Sequence, residues 1–167
     1  VLIVKSGYES TGIGRYAVAL EKGLVDAGCQ VSRVYPKLPV SKRIAKLLKK
    51  IFGWDLVAFF NNYPILINYP TADIYHFTSQ NLASLLMLHK PRGKVIVTVH
   101  DIIPHVFQDD PEINHHQNLI EKFFNKLSLM GLKGAHGIIT VSVHTRKILI
   151  DHLNYSADSI WPIYHGK

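Results

Sequence analysis

The chain has 167 residues and a mass of 18.9 kDa, enough for one hydrophobic core and too little for a second complete domain. With 47% hydrophobic residues, 19% charged residues and a mean hydropathy of +0.09, its composition excludes disordered and collagen-like classes. A single cysteine, Cys29, excludes a disulfide scaffold; next to Gly28 it reads as a small buried hydrophobe, and a reducing, cytoplasmic setting is expected.

The formal charge of +7 is local. Six of the 19 basic residues, Lys37, Lys42, Arg43, Lys46, Lys49 and Lys50, fall in one short segment, and without them 13 basic residues face 12 acidic ones. No apolar stretch approaches the ~20 residues that span a bilayer. No charged-then-apolar leader is visible, and both ends, Val1-Leu2-Ile3-Val4 and Trp161 to Lys167, read as cut, so residues 1–167 are expected to be a single domain from a longer chain.

In chain order, Val1 to Lys5 predicts a buried strand. A glycine-containing loop from Ser6 to Gly14 and an amphipathic helix from about Arg15 to Ala27 follow, with Gly28 as its stop. Gln30 to Tyr35 predicts a second strand. Between Ser41 and Phe52, Ile44, Leu47, Leu48, Ile51 and Phe52 recur at steps of three and four among basic residues, the pattern of a basic amphipathic helix capped by Ser41 and ended by Gly53. Its apolar side fits a core-facing surface helix. It equally fits attachment to anionic lipid through Lys42, Arg43, Lys46, Lys49 and Lys50, with Trp54 at the interface. Nucleic acid is the weaker partner, because no aromatics interleave with the basic residues and no binding motif is present.

Leu56 to Tyr69 fits strand and helix alike. Beyond it the alternation is regular: strands at Asp73 to Phe77, Lys94 to His100, Gly137 to Ser142 and Ile160 to Tyr164, with helices at Leu82 to His89, His115 to Lys133 and His144 to Asn154. Asp109 and Asp110 before Pro111 read as cap and first-turn acids of the long helix. Apolar strands alternating with helices predict an α/β fold, a Rossmann-like doubly wound parallel sheet with helices on both faces. Such sheets bind ligands beyond the C-terminal strand ends, where Thr11 to Gly14, His76, Thr78, His100, Asp101, Ser142 and Thr145 fall.

Thr11-Gly12-Ile13-Gly14 leads into a helix N-terminus, where exposed amides and the dipole favour a phosphate; a tight strand-to-helix turn explains it as well. A nicotinamide site would require an acidic residue at the end of the second strand, and Tyr35-Pro36 stands there instead. The triphosphatase loop motif is absent. His100-Asp101 is the strongest local signal. His100 can donate a hydrogen bond to a sugar hydroxyl or to developing oxygen charge, and Asp101 can orient or deprotonate an acceptor hydroxyl. A structural role, with His100 satisfying backbone groups and Asp101 capping a turn, is the competing reading. No metal-ligand spacing occurs among the ten histidines, so no metal and no cofactor are expected.

Four segments together resemble the N-terminal half of the retaining glycosyltransferases of family 4, of GT-B architecture: Thr11 to Tyr16, Ala72 to His76, Val97 to Pro104 and Gly134 to Thr145. The resemblance implies two Rossmann-like domains facing a cleft, with the acceptor, a glycan or lipid-linked molecule, held here and the nucleotide-diphosphate sugar held mainly by a C-terminal domain outside this chain. It implies that Thr11, Gly12 and Gly14 approach the donor diphosphate, and that His100 and Asp101 lie at the reacting centre. His76 and Thr78, with Ser142 and Thr145, would lie on the acceptor side. Transfer would need no metal, and the chain alone would be inactive. The basic helix resembles the surface by which such proteins meet the inner face of a membrane. The competing class is a non-catalytic module on the same scaffold that binds anionic lipid or a polyanion.

Overall fold

The computed structural model describes residues 1–5, 9–102, 106, 119–151 and 153–164. Within them runs a six-stranded, wholly parallel sheet: β1 (Leu2–Val4), β2 (Ser32–Val34), β3 (Ile74–Phe77), β4 (Lys94–Val99), β5 (Gly137–Thr140) and β6 (Ile160–Pro162), in the spatial order β2-β1-β3-β4-β5-β6. The doubly wound class expected from the alternation is therefore present. The chain steps from β1 to β2 in one direction and then returns past β1 to β3. That reversal leaves a crevice between the C-terminal ends of β1 and β3, the place where such sheets take their ligands.

Alternation and register sort every side chain to one face of the sheet. Leu2, Val4, Tyr75, Phe77, Val95, Val97, Val99, Ile138 and Ile160 share one face and form a single buried cluster with Leu82, Leu85, Leu86, Leu132 and Leu149. These last residues belong to a 3-10 turn (Gln80–Ala83) and to helices that cover this face. Ile3, His76, Ile96, Thr98, Ile139 and Trp161 take the opposite face, where the first helix, α1 (Gly12–Asp26), packs.

The helices end where local chemistry says they should, with shifts that have causes. α1 begins at Gly12, three residues before the expected start, because Thr11 caps it: its Oγ1 accepts from the Gly14 amide at 3.1 Å. α2 (Lys42–Phe52) has the expected bounds, with Ser41 capping Ile44 and Gly53 in the left-handed region at φ 72°. The ambiguous segment resolves into α3 (Leu56–Asn62), capped by Asp55, followed by extended chain. The helix expected from Leu82 to His89 divides into the 3-10 turn and α4 (Ser84–Leu88). α5 (Leu119–Leu132) and α6 (Val143–Asp151) follow; the expected residues 115–118 and the Asp109–Pro111 cap lie outside the described residues.

Backbone crowding fixes how α5 seats. A Cβ at Gly131 would stand 1.9 Å from the Ala83 carbonyl oxygen, so only glycine lets α5 lie directly on the 3-10 turn. Three sequence expectations are corrected at the edges. Cys29 is partly exposed rather than buried, since it follows the helix stop at Gly28 on the margin of the sheet. β2 is cut to Ser32–Val34 and is largely exposed because it is an edge strand, and β6, the opposite edge, ends at Pro162.

Candidate active site

The glycine turn and His100 lie at the same rim. Tyr16, one turn into α1, sets its ring edge-on to the His100 ring with centroids 5.0 Å apart and planes at 85°. The α1 turn containing Gly12 and Gly14 therefore meets the end of β4 across the crevice. A Cβ placed on Gly12 would touch nothing within 4 Å, so packing does not demand glycine there. Of the two glycines, Gly14 is buried and its amide is spent on Thr11 Oγ1, whereas Gly12 is exposed at the first helical position. Helical geometry gives the amides of Gly12 and Ile13 no intrahelical acceptor.

His76 and Thr78 were expected to line the acceptor side. Both are instead enclosed, because the third strand runs through the middle of the sheet. Thr78 donates its hydroxyl to the Val4 carbonyl at 3.1 Å, pinning the end of β3 to β1. His76 Nε2 lies 2.8 Å from Thr98 Oγ1, and the same Thr98 oxygen lies 2.8 Å from the Tyr16 hydroxyl. Burial pushes the His76 imidazole down to about 4, so the ring is neutral at physiological pH. The Tyr16 phenol is raised by burial, with the Thr98 bond opposing, and stays protonated. Tyr16, Thr98 and His76 thus form a buried polar chain from helix to strand to strand. The sequence places Tyr16 and Thr98 in two of the motif segments without pairing them; the seating of α1 on the sheet brings them together.

His100 is held on two sides. Its backbone N–H donates to Gln80 Oε1 at 3.1 Å, and its Nε2 lies 2.8 Å from the Thr78 carbonyl. A carbonyl only accepts, so Nε2 carries the hydrogen and, in the neutral ring, Nδ1 carries the lone pair. Donation from Nδ1 to a sugar oxygen accordingly requires the imidazolium form, a condition the sequence did not reveal.

Asp101 is exposed and borders a cavity of about 30 Å³, room for one or two waters, whose wall joins the apolar side chains of Ile102 and Leu129 to the polar Gln80, Asn81, Asn125 and Ser128. Asn125 Oδ1 accepts from the Tyr63 hydroxyl at 2.6 Å, while its Nδ2 is buried with no partner among the described residues. Amides and a carboxylate around so small a space suit a water or a single hydroxyl. Ser142 follows Val141, whose amide donates to the Val99 carbonyl at 3.3 Å beside the end of β4. Ser142 Oγ accepts from the Thr145 amide at 3.0 Å and lies 3.0 Å from Thr145 Oγ1, the arrangement of a cap at the start of α6. Among the described residues no three His, Cys, Asp or Glu side chains gather as metal ligands.

On α2 only Ala45 is buried. Ile44, Leu47, Ile51 and Phe52 are 50–60% exposed, so the apolar side does not face the core. Trp54, 60% exposed, lies with its ring 5.4 Å from that of Phe52. Lys49 is paired with Asp55, whose carboxyl is held down first by that hydrogen bond and then by the Ala58 amide. Lys42, Arg43, Lys46 and Lys50 are exposed along the helix. No helix among the described residues is long and apolar enough to cross a membrane.

A wholly parallel sheet with its order reversed between β1 and β3 defines a Rossmann-like domain, a class that takes ligands at the C-terminal strand ends. The family model "Glycosyltransferase Family 4" matches residues 10–166, nearly the whole chain. The chain belongs to that family and is a glycosyltransferase domain. Among solved structures it is similar to an "alpha-glucosyltransferase in complex with UDP and a 13-mer DNA containing a central A:G mismatch", at 16% identity and a TM-score of 0.44, over 96% of this chain and 39% of that one. The chain thus spans about two-fifths of that protein's length. No curated protein matches it.

Proposed function

We propose that this domain is the acceptor-side half of a retaining, metal-independent hexosyltransferase that uses a nucleotide-diphosphate sugar, with the donor bound mainly by a second Rossmann-like domain. The observation that carries the reading is the contact of Tyr16 with His100, which brings the glycine turn and the imidazole to one rim of the crevice. In this reading the N-terminal turn of α1, at Gly12 and Ile13, faces the donor diphosphate, where the helix dipole offsets negative charge that grows as the leaving group departs. His100 orients the transferred sugar as an acceptor of one of its hydroxyls, or as a donor once protonated. Asp101 receives the hydrogen of the attacking hydroxyl, and the amide-lined cavity beside it seats a neighbouring one. His76 and Thr78 support this rim from beneath, and Ser142 and Thr145 hold the start of α6 rather than the substrate.

The test uses the protein that carries this domain, assayed with UDP-, GDP- and ADP-hexoses against glycan and lipid-linked acceptors. Transfer that keeps the donor's anomeric configuration, survives EDTA and falls at least ~100-fold in His100→Ala is the expected result. Inversion at the anomeric carbon, or full loss with EDTA, overturns the corresponding part of the proposal.

The exposed apolar stripe of α2 favours a second element: peripheral attachment to an anionic membrane. Ile44, Leu47, Ile51, Phe52 and Trp54 would enter the headgroup boundary while Lys42, Arg43, Lys46 and Lys50 face acidic lipid, each basic residue adding ~1 kcal/mol. Lys49 contributes less because Asp55 already pairs with it. Sedimentation with phosphatidylglycerol vesicles should show binding that Lys46→Glu with Lys50→Glu abolishes and pure phosphatidylcholine does not support. If that double variant also ends all function while His100→Ala leaves function intact, the domain is a lipid-binding module rather than half of a transferase.

A further inference from the structure

We infer that Tyr16 is a positioning residue for His100, tying the glycine turn of α1 to the end of β4 so that the two halves of the rim move as one. The inference rests on the transferase reading above, in which those two points serve the diphosphate and the sugar.

A histidine just beyond a strand end has two side-chain torsions to fix. The Nε2 bond to Thr78 restrains one end of the ring, and the backbone bond to Gln80 restrains the main chain. The third restraint is the Tyr16 ring, edge-on at 5.0 Å. Tyr16 is itself anchored, since its hydroxyl meets Thr98 Oγ1 at 2.8 Å, and Thr98 is fully buried two residues before His100 on the same strand face. His76 holds that threonine oxygen from the other side at 2.8 Å and lies near Tyr16 as well, with ring centroids 6.5 Å apart. Tyr16 is the only one of these residues carried by α1. Any displacement of the glycine turn on meeting an anion is therefore passed to His100 through this ring. Reacting groups misplaced by ~1 Å lose about 100-fold in rate, so a rigid spacer between the phosphate end and the imidazole has a chemical use.

The prediction is tested on the uniformly ¹⁵N-labelled chain by NMR. In the unsubstituted protein the His100 Nε2–H, bonded to Thr78, gives a slowly exchanging signal. Tyr16→Phe keeps the ring and should leave that signal in place while moving the His76 resonances, because the Thr98 bond is lost. Tyr16→Ala should speed exchange of the His100 Nε2–H by about five- to tenfold, the worth of one aromatic pair, and shift its ring ¹⁵N resonances. Tyr16→Leu, which retains bulk, guards against a folding defect. Inorganic pyrophosphate supplies the second readout. It should shift the Gly12 and Ile13 amides together with His100, and in Tyr16→Ala the backbone shifts should persist while the His100 response disappears. Wild-type exchange and shifts at His100 in Tyr16→Ala overturn the inference, as do variants in which Phe77 and Val97 in the core move as much as His100. Backbone amides that ignore pyrophosphate count against the anion reading of the turn, and the ligand-free exchange rates still decide the role of Tyr16.

Discussion

The two faces of this sheet are made of different chemistry. On one, Phe77, Val95, Val97 and Val99 are fully buried beneath α4, α5 and α6, and almost every side chain in the cluster is aliphatic or aromatic. On the other, α1 covers Ile3 at the first strand, and the strands beneath it carry His76 and Thr98; farther out, Trp161 and Ile163 are 50% and 54% exposed. The apolar face supplies most of the burial that stabilises the fold. The α1 face accepts a polar network and exposed edges, and it is the face on which Tyr16 reaches His100. The pleat separates the Tyr16–His100 contact from the core, whereas Asp101 and its cavity border the 3-10 turn and α5 on the other side.

That contrast can be broken most forcefully from the apolar side. Phe77→Ala should cost about 4 kcal/mol, the sum of lost transfer energy and the cavity left behind, and urea titration should show a correspondingly early midpoint. A cost below that of an ordinary surface substitution would mean the apolar face is not the principal core.

The next largest effect is on the α1 face and depends on pH. His76 has its folded value near 4 and an unfolded value of 6.5, so between these the unfolded chain binds more protons. Its contribution is complete above pH 6.5 and falls as the pH drops towards 4, by about 3 kcal/mol in all. Denaturation of the native protein and of His76→Gln at pH 7 and pH 4 isolates this term. The native protein should lose more stability on acidification than the variant, and parallel losses would contradict it.

Thr98→Val sharpens the comparison within that face. It removes the partner shared by the Tyr16 hydroxyl and the His76 ring, and leaving these groups buried without it should cost about 2 kcal/mol. Combined with Tyr16→Phe, the loss should be less than the sum of the two single losses, because both changes break the same bond. Strict additivity would mean that the chain of hydrogen bonds is not a unit. The smallest expected effect is at the sheet margin. Trp161→Ala should cost about 1 kcal/mol, since half of its surface already meets solvent while its ring packs over Gly137. A cost several times larger would show that another element covers this face in solution.

Local signals located the ends of one helix accurately. Ser41 with Gly53 delimited α2, because a cap is a bond between residues three apart, whereas the start of α1 was expected at Arg15 and lies at Gly12 behind its cap Thr11. The alternation of apolar strands and helices was legible for the same reason, as were the strand-end positions of His100 and Asp101. The burial of His76 and Thr78 was not. A strand-end residue near a crevice and one sealed in mid-sheet read alike until the strand order places β3 between β1 and β4. Nor did the stripe on α2 disclose which way it faces, because amphipathic spacing fixes one side of the helix without stating what lies against it.

The sequence by itself determined the class of fold, which follows from the periodicity of its apolar strands and helices, and its motifs resembled those of the family to which the chain belongs. Tertiary structure alone decided that Tyr16 and Thr98, separated by 82 positions, share a hydrogen bond, and that His100 turns its Nε2 to the Thr78 carbonyl. Strand register and the seating of α1 set such meetings, and both are settled by the packing of the whole sheet rather than by any segment of it.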